Sequence, residues 1–243
     1  MTRYVFDFDG VLFDTARECL AVAYAAVHGL AAEPPPEVAE RFLANRHWVG
    51  PPWQYALLLE CIERGELPRT TSEFLTRAEL RRAELEGFTA SYFAARGALA
   101  KDVARWCAAI APTPALAAYH RLHAAGRATI LSTRDDVSIA AILGHLAGIA
   151  DPVLLPRAGA REKWELLLEH AARCDVAPRR VFFLDDYAHH AVPAHHRGVA
   201  AHLATWGYLG PDDLETARTA GLPCLALGDL DRALERHEQE HPP

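Results

Sequence analysis

The chain has 243 residues, of which 51% are hydrophobic and 23% are charged, and its formal net charge at pH 7 is -7. These values exclude general disorder and a basic nucleic-acid-binding surface, and they fit one large domain or a domain with an insertion. No apolar run is long enough to span a bilayer, and the N-terminal residues lack the features of a secretion signal. The five cysteines are scattered without C-x-x-C spacing. We therefore expect a cytoplasmic protein with reduced thiols and no membrane partner.

The first predicted element is a short buried strand at residues 3–7, with the sequence RYVFD. Further apolar runs of the same kind follow at residues 127–133, 152–155, 180–185, 199–204 and 223–227. Helical patterns lie between the later strands, at residues 114–125, 136–147, 161–173 and 188–197. This alternation predicts an α/β fold, with a three-layer, Rossmann-like parallel sheet covered by helices on both faces.

Residues 15–109 differ from the rest because only helical patterns occur there, separated by proline-containing stretches. The predicted helices are residues 15–29, 37–46, 53–64, 72–87 and 89–110. The sequence therefore predicts a core of residues 1–14 and 110–243, interrupted by an all-helical domain of residues 15–109. The last nine residues, ERHEQEHPP, are predicted to be a frayed tail.

Reactive polar residues follow several of the predicted strands at the point where each strand ends. They are Asp7 and Asp9, Ser132 and Thr133, Lys163, and Asp185 and Asp186. Because the carboxyl ends of parallel strands meet at one edge of a sheet, we expect these side chains to form one site. Buried carboxylates are costly without partners, so this pattern points to a function rather than to a solvated turn.

Four short motifs resemble those of the haloacid dehalogenase-like hydrolases, in that family's order. They are DFDGV at residues 7–11, ILST at residues 130–133, Lys163, and FLDD at residues 183–186. The stretch AHLATWGY, residues 201–208, resembles the phosphoglycolate-phosphatase-like subgroup. The resemblance implies that the helical insertion between the first and second motifs is a cap domain.

The resemblance also implies roles for the motif residues. Asp7 would be the nucleophile that forms an aspartyl-phosphate, and Asp9 would be the general acid and base. Ser132 and Lys163 would bind the transferring phosphoryl oxygens. Because so many acidic groups would repel a dianionic substrate, a cation is required. Mg²⁺ would be held by Asp7, the carbonyl of Asp9 and Asp186.

The sequence departs from the family pattern at two of these motifs. Asp185 stands where the family often has glycine, so its carboxylate could bind Mg²⁺ or hold Lys163. His190 stands where the family often has a further acid. The lysine motif lacks its usual sequence context, which leaves Arg161 as a second candidate for the cationic role.

Substrate contacts are predicted at Gly10, Thr133 and Arg134 and, in the helical insertion, at Arg46 and Trp48. Arg46 and Trp48 belong to NRHWVGPPW, residues 45–53, which could close over a leaving group or could simply connect two helices with its tryptophans in the core. Histidines at positions 189, 190, 195, 196 and 202 could suggest zinc. Their spacing favours surface histidines on a helix kinked at Pro193.

These observations predict a Mg²⁺-dependent phosphatase that hydrolyses a small phosphorylated metabolite, as a monomer or homodimer. A phosphotransferase of the sugar-phosphate mutase type is the alternative, because it would use the same Asp7 and Asp9. A carbon–halogen dehalogenase would have no need of the Asp9 carboxylate, and a non-catalytic binder would have no need of a nucleophile and an acid together.

Overall fold

Short apolar segments of the chain form two sheets in the computed structural model, which describes residues 1–156 and 161–242. The strands in chain order are β1 (Arg3–Phe6), β2 (Phe13–Asp14), β3 (Ala111–Pro112), β4 (Ala128–Ile130), β5 (Val181–Asp185), β6 (Ala200–Ala204) and β7 (Cys224–Leu225). Five of them form a parallel sheet in the order β4-β1-β5-β6-β7, and β2 pairs with β3 in a small antiparallel ribbon.

Helices make up most of the remaining regular structure. They are α1 (Ala16–His28), α2 (Pro36–Ala44), α3 (Gln54–Arg64), α4 (Thr71–Leu80), α5 (Arg82–Leu85), α6 (Phe88–Leu99), α7 (Val103–Cys107), α8 (Ala115–Ala124), α9 (Asp136–Ala147), α10 (Lys163–Arg173), α11 (Ala188–His195), α12 (Pro211–Ala220) and α13 (Leu230–Glu240). Three 3₁₀ turns lie at Arg46–Trp48, Pro178–Arg180 and Leu227–Asp229. None of the helices in residues 1–156 and 161–242 has the length and apolar character needed to cross a membrane.

The chain divides into two units, one of Met1–Asp14 and Ala111–Pro243 and the other of Thr15–Ile110. In the first unit, alternate residues of β1, which lies between β4 and β5, point to opposite faces of the parallel sheet. Val5 joins a buried cluster with Leu166 and Leu167 of α10. On the other face, the ring of Phe6 packs edge-on against Tyr119 of α8. Helices therefore cover both faces, and the predicted three-layer α/β fold is confirmed.

The second unit is helical and has its own hydrophobic core, which includes Phe42, Tyr55, Phe74 and Tyr92. A buried ion pair also lies inside this unit. The Arg96 guanidinium donates to the Glu18 carboxylate at 3.0 Å, and Trp106 Nε1 donates to the same carboxylate at 3.0 Å. These hydrogen bonds provide partners for a carboxylate that has no exposed surface.

Two predicted helices of the second unit are divided in the structure. The helix predicted over residues 72–87 is interrupted at Arg81, which ends α4 and precedes α5. The helix predicted over residues 89–110 ends at Leu99, and Asp102 begins α7 by accepting a hydrogen bond from the Arg105 amide at 3.1 Å. Asp102 favours this break because a carboxylate side chain is a strong N-cap.

Two predictions for the first unit also need correction. The strand predicted at residues 152–155 is reduced to one parallel bridge between Leu154 and Ile130 at the edge of the sheet. The segment of residues 235–243 is not a frayed tail, because α13 continues to Glu240 and buries His237. The apolar face of this helix was not predicted because it is narrow and most of the residues of the helix are charged.

Candidate active site

The polar residues predicted to meet at one edge of the sheet follow strands that are neighbours in the structure. Asp7 comes directly after β1 and Asp185 ends β5, and the two strands pair in parallel with Phe6 opposite Leu184. The amide of Asp7 donates to the carbonyl of Leu184 at 2.8 Å, which continues the strand ladder as far as the carboxylate. Asp7, Asp185 and Asp186 therefore lie at the carboxyl end of the sheet.

Lys163 is the cationic partner of two of these carboxylates. Its Nζ donates to Asp7 Oδ1 and to Asp185 Oδ2, each at 2.7 Å. It is the first residue of α10, which begins with a capping box formed by Glu162 and Glu165. Arg161, the rival candidate, is exposed and pairs instead with Glu169. Of the two, the structure brings Lys163 to the carboxylates.

Burial and mutual charge shift the pKa values of this group. Burial raises the pKa of Asp7 to about 6, with Asp185 and Asp9 adding to the effect and Lys163 opposing it. Burial alone would lower the pKa of Lys163, but the carboxylates of Asp185 and Asp7 outweigh it and raise that pKa. For Asp185, Lys163 and His190 outweigh burial and hold the pKa well below its usual range. Lys163 and Asp185 are therefore charged at neutral pH.

The contacts of Asp185 bear on the question that the sequence left open at the fourth motif. One of its oxygens accepts from Lys163, and the other, Oδ1, accepts from the Tyr187 amide at 2.9 Å. His190 Nδ1 lies 3.3 Å from Oδ2 of the same carboxylate. Both oxygens already have donors, which favours a role in holding Lys163 over a role as a metal ligand.

Asp186 is positioned by backbone groups and by two glycines. Its Oδ2 accepts a hydrogen bond from the Tyr208 amide at 2.6 Å. A β-carbon at Gly10, which has φ of +80°, or at Gly207 would overlap the Asp186 carboxylate. These glycines make room for Asp186, so the structure gives Gly10 a packing role, and its contact with substrate stays a prediction.

Asp9 forms an ion pair with Arg134. The Arg134 Nε donates to Asp9 Oδ1 at 3.0 Å, and one terminal nitrogen of the guanidinium lies 2.8 Å from the same oxygen. The Arg134 amide donates to Ser132 Oγ at 3.1 Å, so Ser132 belongs to the same group. Arg134 was predicted to contact substrate. It is 3% exposed and pairs with Asp9, and its contact with substrate stays a prediction. Thr133 is exposed, and its contact with substrate stays a prediction.

Three buried carboxylates could hold a metal ion. Ligand oxygens of Asp7, Asp185 and Asp186 all lie within 4.8 Å of one another, and no other such group occurs in the part of the chain that the structure describes. Three carboxylates and one ammonium leave excess negative charge in a buried place, which a divalent cation would offset. A donor set made only of oxygen suits Mg²⁺. The residues therefore fit the ion.

The histidines that could have suggested zinc do not form such a group within residues 1–156 and 161–242. His189 and His196 are exposed, and His202 stacks on Phe182 with ring centroids 4.4 Å apart. The alternative of surface histidines holds for His189 and His196. His202 is instead a partly buried residue of the sheet.

Arg46 and Trp48 lie in the interior of the helical unit. Trp48 belongs to its hydrophobic core and packs against Phe74 at a ring-centroid distance of 5.6 Å. Arg46 donates to the Val49 carbonyl at 2.8 Å, and its guanidinium lies over the Tyr55 ring. These contacts agree with the packing interpretation of this segment, and a substrate contact for either residue stays a prediction.

Two contributions to the site escaped the sequence reasoning, the Tyr208 amide and the missing β-carbon of Gly207. A backbone amide leaves no signature in a sequence, but the Trp-Gly-Tyr triplet at residues 206–208 was a signal. Trp206 Nε1 donates to the Val11 carbonyl at 3.0 Å, which ties this turn to the loop that follows Asp9. The indole therefore fixes the turn that carries both contributions.

Comparison with solved structures shows similarity over nearly the whole chain. A predicted phosphoglycolate phosphatase from Haemophilus somnus has a TM-score of 0.65 and 15% identity, with 96% of this chain and 98% of that chain covered. A haloacid dehalogenase-like family hydrolase from Streptococcus pneumoniae has a TM-score of 0.60 and 16% identity, with 97% and 98% covered. A predicted phosphatase from Clostridium acetobutylicum has a TM-score of 0.58 and 15% identity, with 98% of each chain covered. No protein-family model matches the sequence, and no curated protein matches it either. At these identities the similarity shows a common fold.

Proposed function

We propose that this chain, which has the fold of the haloacid dehalogenase-like hydrolases, is a Mg²⁺-dependent phosphatase that acts on a small phosphomonoester. The observation that carries the proposal is the contact of Lys163 Nζ with Asp7 and Asp185, beside Asp186, at the carboxyl end of the sheet. Apolar side chains would pack this buried place at least as well, so packing alone does not explain the charged groups. Phosphoryl transfer uses such a combination of nucleophile, cation and metal-binding carboxylates.

Asp7 is the proposed nucleophile. Lys163 binds Oδ1 of Asp7, which leaves Oδ2 to attack phosphorus in line with the leaving alcohol. The Asp7 Oδ2–phosphorus bond forms and the bond from phosphorus to the ester oxygen breaks, giving an aspartyl-phosphate and an alcohol. Water then attacks the same phosphorus and releases inorganic phosphate and the Asp7 carboxylate.

Asp9 is the proposed proton carrier in both steps. It would give a proton to the leaving alcohol and would take one from the attacking water. Its ion pair with Arg134 fixes the direction of the carboxylate. The Ser132 hydroxyl and the Lys163 ammonium would bind the phosphoryl oxygens and orient them for attack.

Asp7, Asp186 and the carbonyl of Asp9 would hold Mg²⁺, as the resemblance implies. When bound, the ion would neutralise the charge that the phosphoryl oxygens carry. The contacts of Asp185 support the assignment of this residue to Lys163. The helical unit Thr15–Ile110 would act as the cap that selects the leaving group, in a cytoplasmic monomer or homodimer.

Phosphate release from a panel of sugar phosphates, nucleotides and phosphoglycolate tests the proposal, with Mg²⁺ and with a chelator. We expect Mg²⁺-dependent release, and Asp7→Asn should lower it by about a thousandfold or more because the nucleophile is lost. Asp151→Asn, on an exposed loop, is the matched control and should leave the rate unchanged. An inactive wild-type protein, or full turnover by Asp7→Asn, would contradict the proposal. An isomerised sugar phosphate in place of free phosphate would identify a phosphotransferase.

A further inference from the structure

A cavity of about 440 Å³ opens on the first unit, at the other end of the parallel sheet from the catalytic carboxylates. It is lined by Arg179, which precedes β5, by Ala200 to His202 of β6, and by residues of α13. Strand β5 has five residues, so the cavity lies roughly 16 Å from Asp185 along the strand. The proposed phosphatase mechanism makes no use of it.

The imidazoles of the partly buried His202 and the buried His237 line the cavity and are oriented by aromatic packing. The His202 ring stacks on Phe182, and the His237 ring meets Phe182 edge-on with centroids 5.4 Å apart. His202 Nδ1 donates to the Ala200 carbonyl at 3.1 Å, which leaves Nε2 as the acceptor. The backbone of Arg180 hydrogen-bonds to the His237 ring. Nε2 of His237 is buried and has no hydrogen-bond partner within residues 1–156 and 161–242.

Both imidazoles are neutral at neutral pH. Burial lowers the pKa of His202 to about 4 and also lowers the pKa of His237. A neutral imidazole whose other nitrogen is already a donor can only accept a hydrogen bond through Nε2. Because a buried acceptor without a partner is costly, Nε2 of His237 favours a ligand group that donates a hydrogen bond, and Nε2 of His202 offers a second acceptor.

The rim of the cavity carries charges of both signs. Arg179 and Arg236 line it with guanidinium groups, and among the described residues neither has a carboxylate within salt-bridge distance. Glu240 places a carboxylate on the same rim. A neighbouring hollow of about 340 Å³ shares His202 and Arg236 with the cavity, so these two residues lie between the two spaces. Guanidinium groups bind carboxylates or phosphates, and a carboxylate binds an ammonium.

We propose that this cavity binds a small organic anion that also carries an ammonium or hydroxyl group. Arg179 and Arg236 bind its acidic group. Nε2 of His202 and of His237 accept hydrogen bonds from the ammonium or hydroxyl group, and Glu240 contributes attraction for an ammonium. The volume is sufficient for a metabolite-sized molecule. The site is separate from the proposed phosphatase centre, and its ligand does not have to be a phosphate.

Three probes that differ at one position test this proposal: L-aspartate, L-malate and succinate, whose second carbon bears an ammonium, a hydroxyl or only hydrogen. They are titrated into the full chain while the imidazole NMR signals of His202 and His237 are followed. We expect saturable shifts of both signals, with dissociation constants rising about fivefold at each step from aspartate to malate to succinate. None of the probes is a phosphate ester, so the result is independent of the phosphatase proposal.

Variants assign the binding to this cavity. The double variant Arg179→Gln with Arg236→Gln changes only exposed side chains and should weaken aspartate binding by about tenfold or more. Arg105→Gln, an exposed arginine of the helical unit, is the matched control and should bind like the wild type. His237→Phe keeps the aromatic packing and removes one of the two acceptors, so it should narrow the difference between malate and succinate. The proposal is wrong if no saturable shift appears up to about 50 mM, if the three probes bind equally, or if the double variant binds like the wild type.

Discussion

Lys163 is the buried cationic partner of two carboxylates in the candidate site. The residue is 2% exposed, and its ammonium donates to the carboxylates of both Asp7 and Asp185. A buried charge is tolerated only where it is paired, and each member of this group is the partner of another. Removing the ammonium therefore leaves two buried carboxylates facing each other.

Lys163→Met tests this dependence. In metal-free protein at neutral pH, we expect the free energy of unfolding to fall by about 3–5 kcal/mol because uncompensated carboxylates remain buried. Urea denaturation with and without Mg²⁺ measures the effect, and the ion should restore part of the loss. Arg161→Met, the exposed rival two residues earlier, should change the unfolding curve little. Equal losses in the two variants would contradict the assignment of Lys163.

Gly207 leaves the space that the Asp186 carboxylate occupies at the proposed metal site. We expect Gly207→Ala to weaken Mg²⁺ binding by about tenfold or more, because the new β-carbon would overlap the Asp186 carboxylate. Isothermal titration calorimetry with Mg²⁺ provides the measurement. Gly97→Ala is the control, since its β-carbon would point into open space in α6, and it should bind Mg²⁺ normally. Unchanged affinity in Gly207→Ala would remove Asp186 from the set of ligands.

His202 should make the stability of the protein depend on pH. Its pKa falls from 6.5 in the unfolded chain to about 4 in the folded protein, so between these values only the unfolded state binds the proton. The stability therefore rises with pH across this window, and the contribution of His202 is complete above 6.5. We expect it to be on the order of 2 kcal/mol between pH 4 and pH 7. Unfolding free energies at pH 5 and pH 7.5 should differ less in His202→Gln than in the wild type, and identical differences would contradict this expectation.

At the scale of elements, α13 shows that a highly charged segment can still belong to the core. Its buried residues Leu230, Leu234 and His237 recur at intervals of three and four, which places them on one face of the helix. His237 contacts the rings of Tyr4 and Phe182. The helix thereby covers one face of the parallel sheet.

Leu234→Ala tests whether α13 is part of the folded core. We expect a loss of about 2–4 kcal/mol in the free energy of unfolding, because a buried leucine leaves a cavity. Leu214→Ala in α12, where the side chain is 45% exposed, is the matched control and should cost no more than about 0.5 kcal/mol. Denaturant unfolding compares the two variants. A negligible effect of Leu234→Ala would show that α13 does not pack into the folded core.

At the scale of the whole molecule, the proposed ion should stabilise one unit and leave the other unchanged. At a Mg²⁺ concentration about one hundred times its dissociation constant, we expect about 2.7 kcal/mol of additional stability for the unit that holds the carboxylates. Hydrogen exchange followed by mass spectrometry should show slower exchange in β1 and β5 and unchanged exchange in α1 and α3. Asp186→Asn should abolish the difference. Equal slowing in both units would contradict a site confined to the sheet.

Much of the fold could be predicted because it depends on local patterns. Short apolar runs alternating with amphipathic segments indicated the parallel sheet, and the absence of such runs between Asp14 and Ala111 indicated a helical insertion. Two helices were predicted as continuous but are interrupted, because caps override the pattern of hydrophobic residues. A strand was predicted at residues 152–155, where the structure has only a single bridge at Leu154 at the edge of the sheet. The role of α13 was missed because its mean composition is polar although one face is not.

The sequence by itself determined which reactive groups follow the strands of the parallel sheet, since strand ends and residue types are local properties of a chain. The tertiary structure alone decided their pairing, with Asp185 assigned to Lys163, Arg134 to Asp9 and the Tyr208 amide to Asp186. Asp185 and Asp186 are neighbours in the chain, and Tyr208 is distant from both. Pairing depends on the direction of each side chain and on the space around it, and these arise only when strands and loops that are remote in sequence pack together.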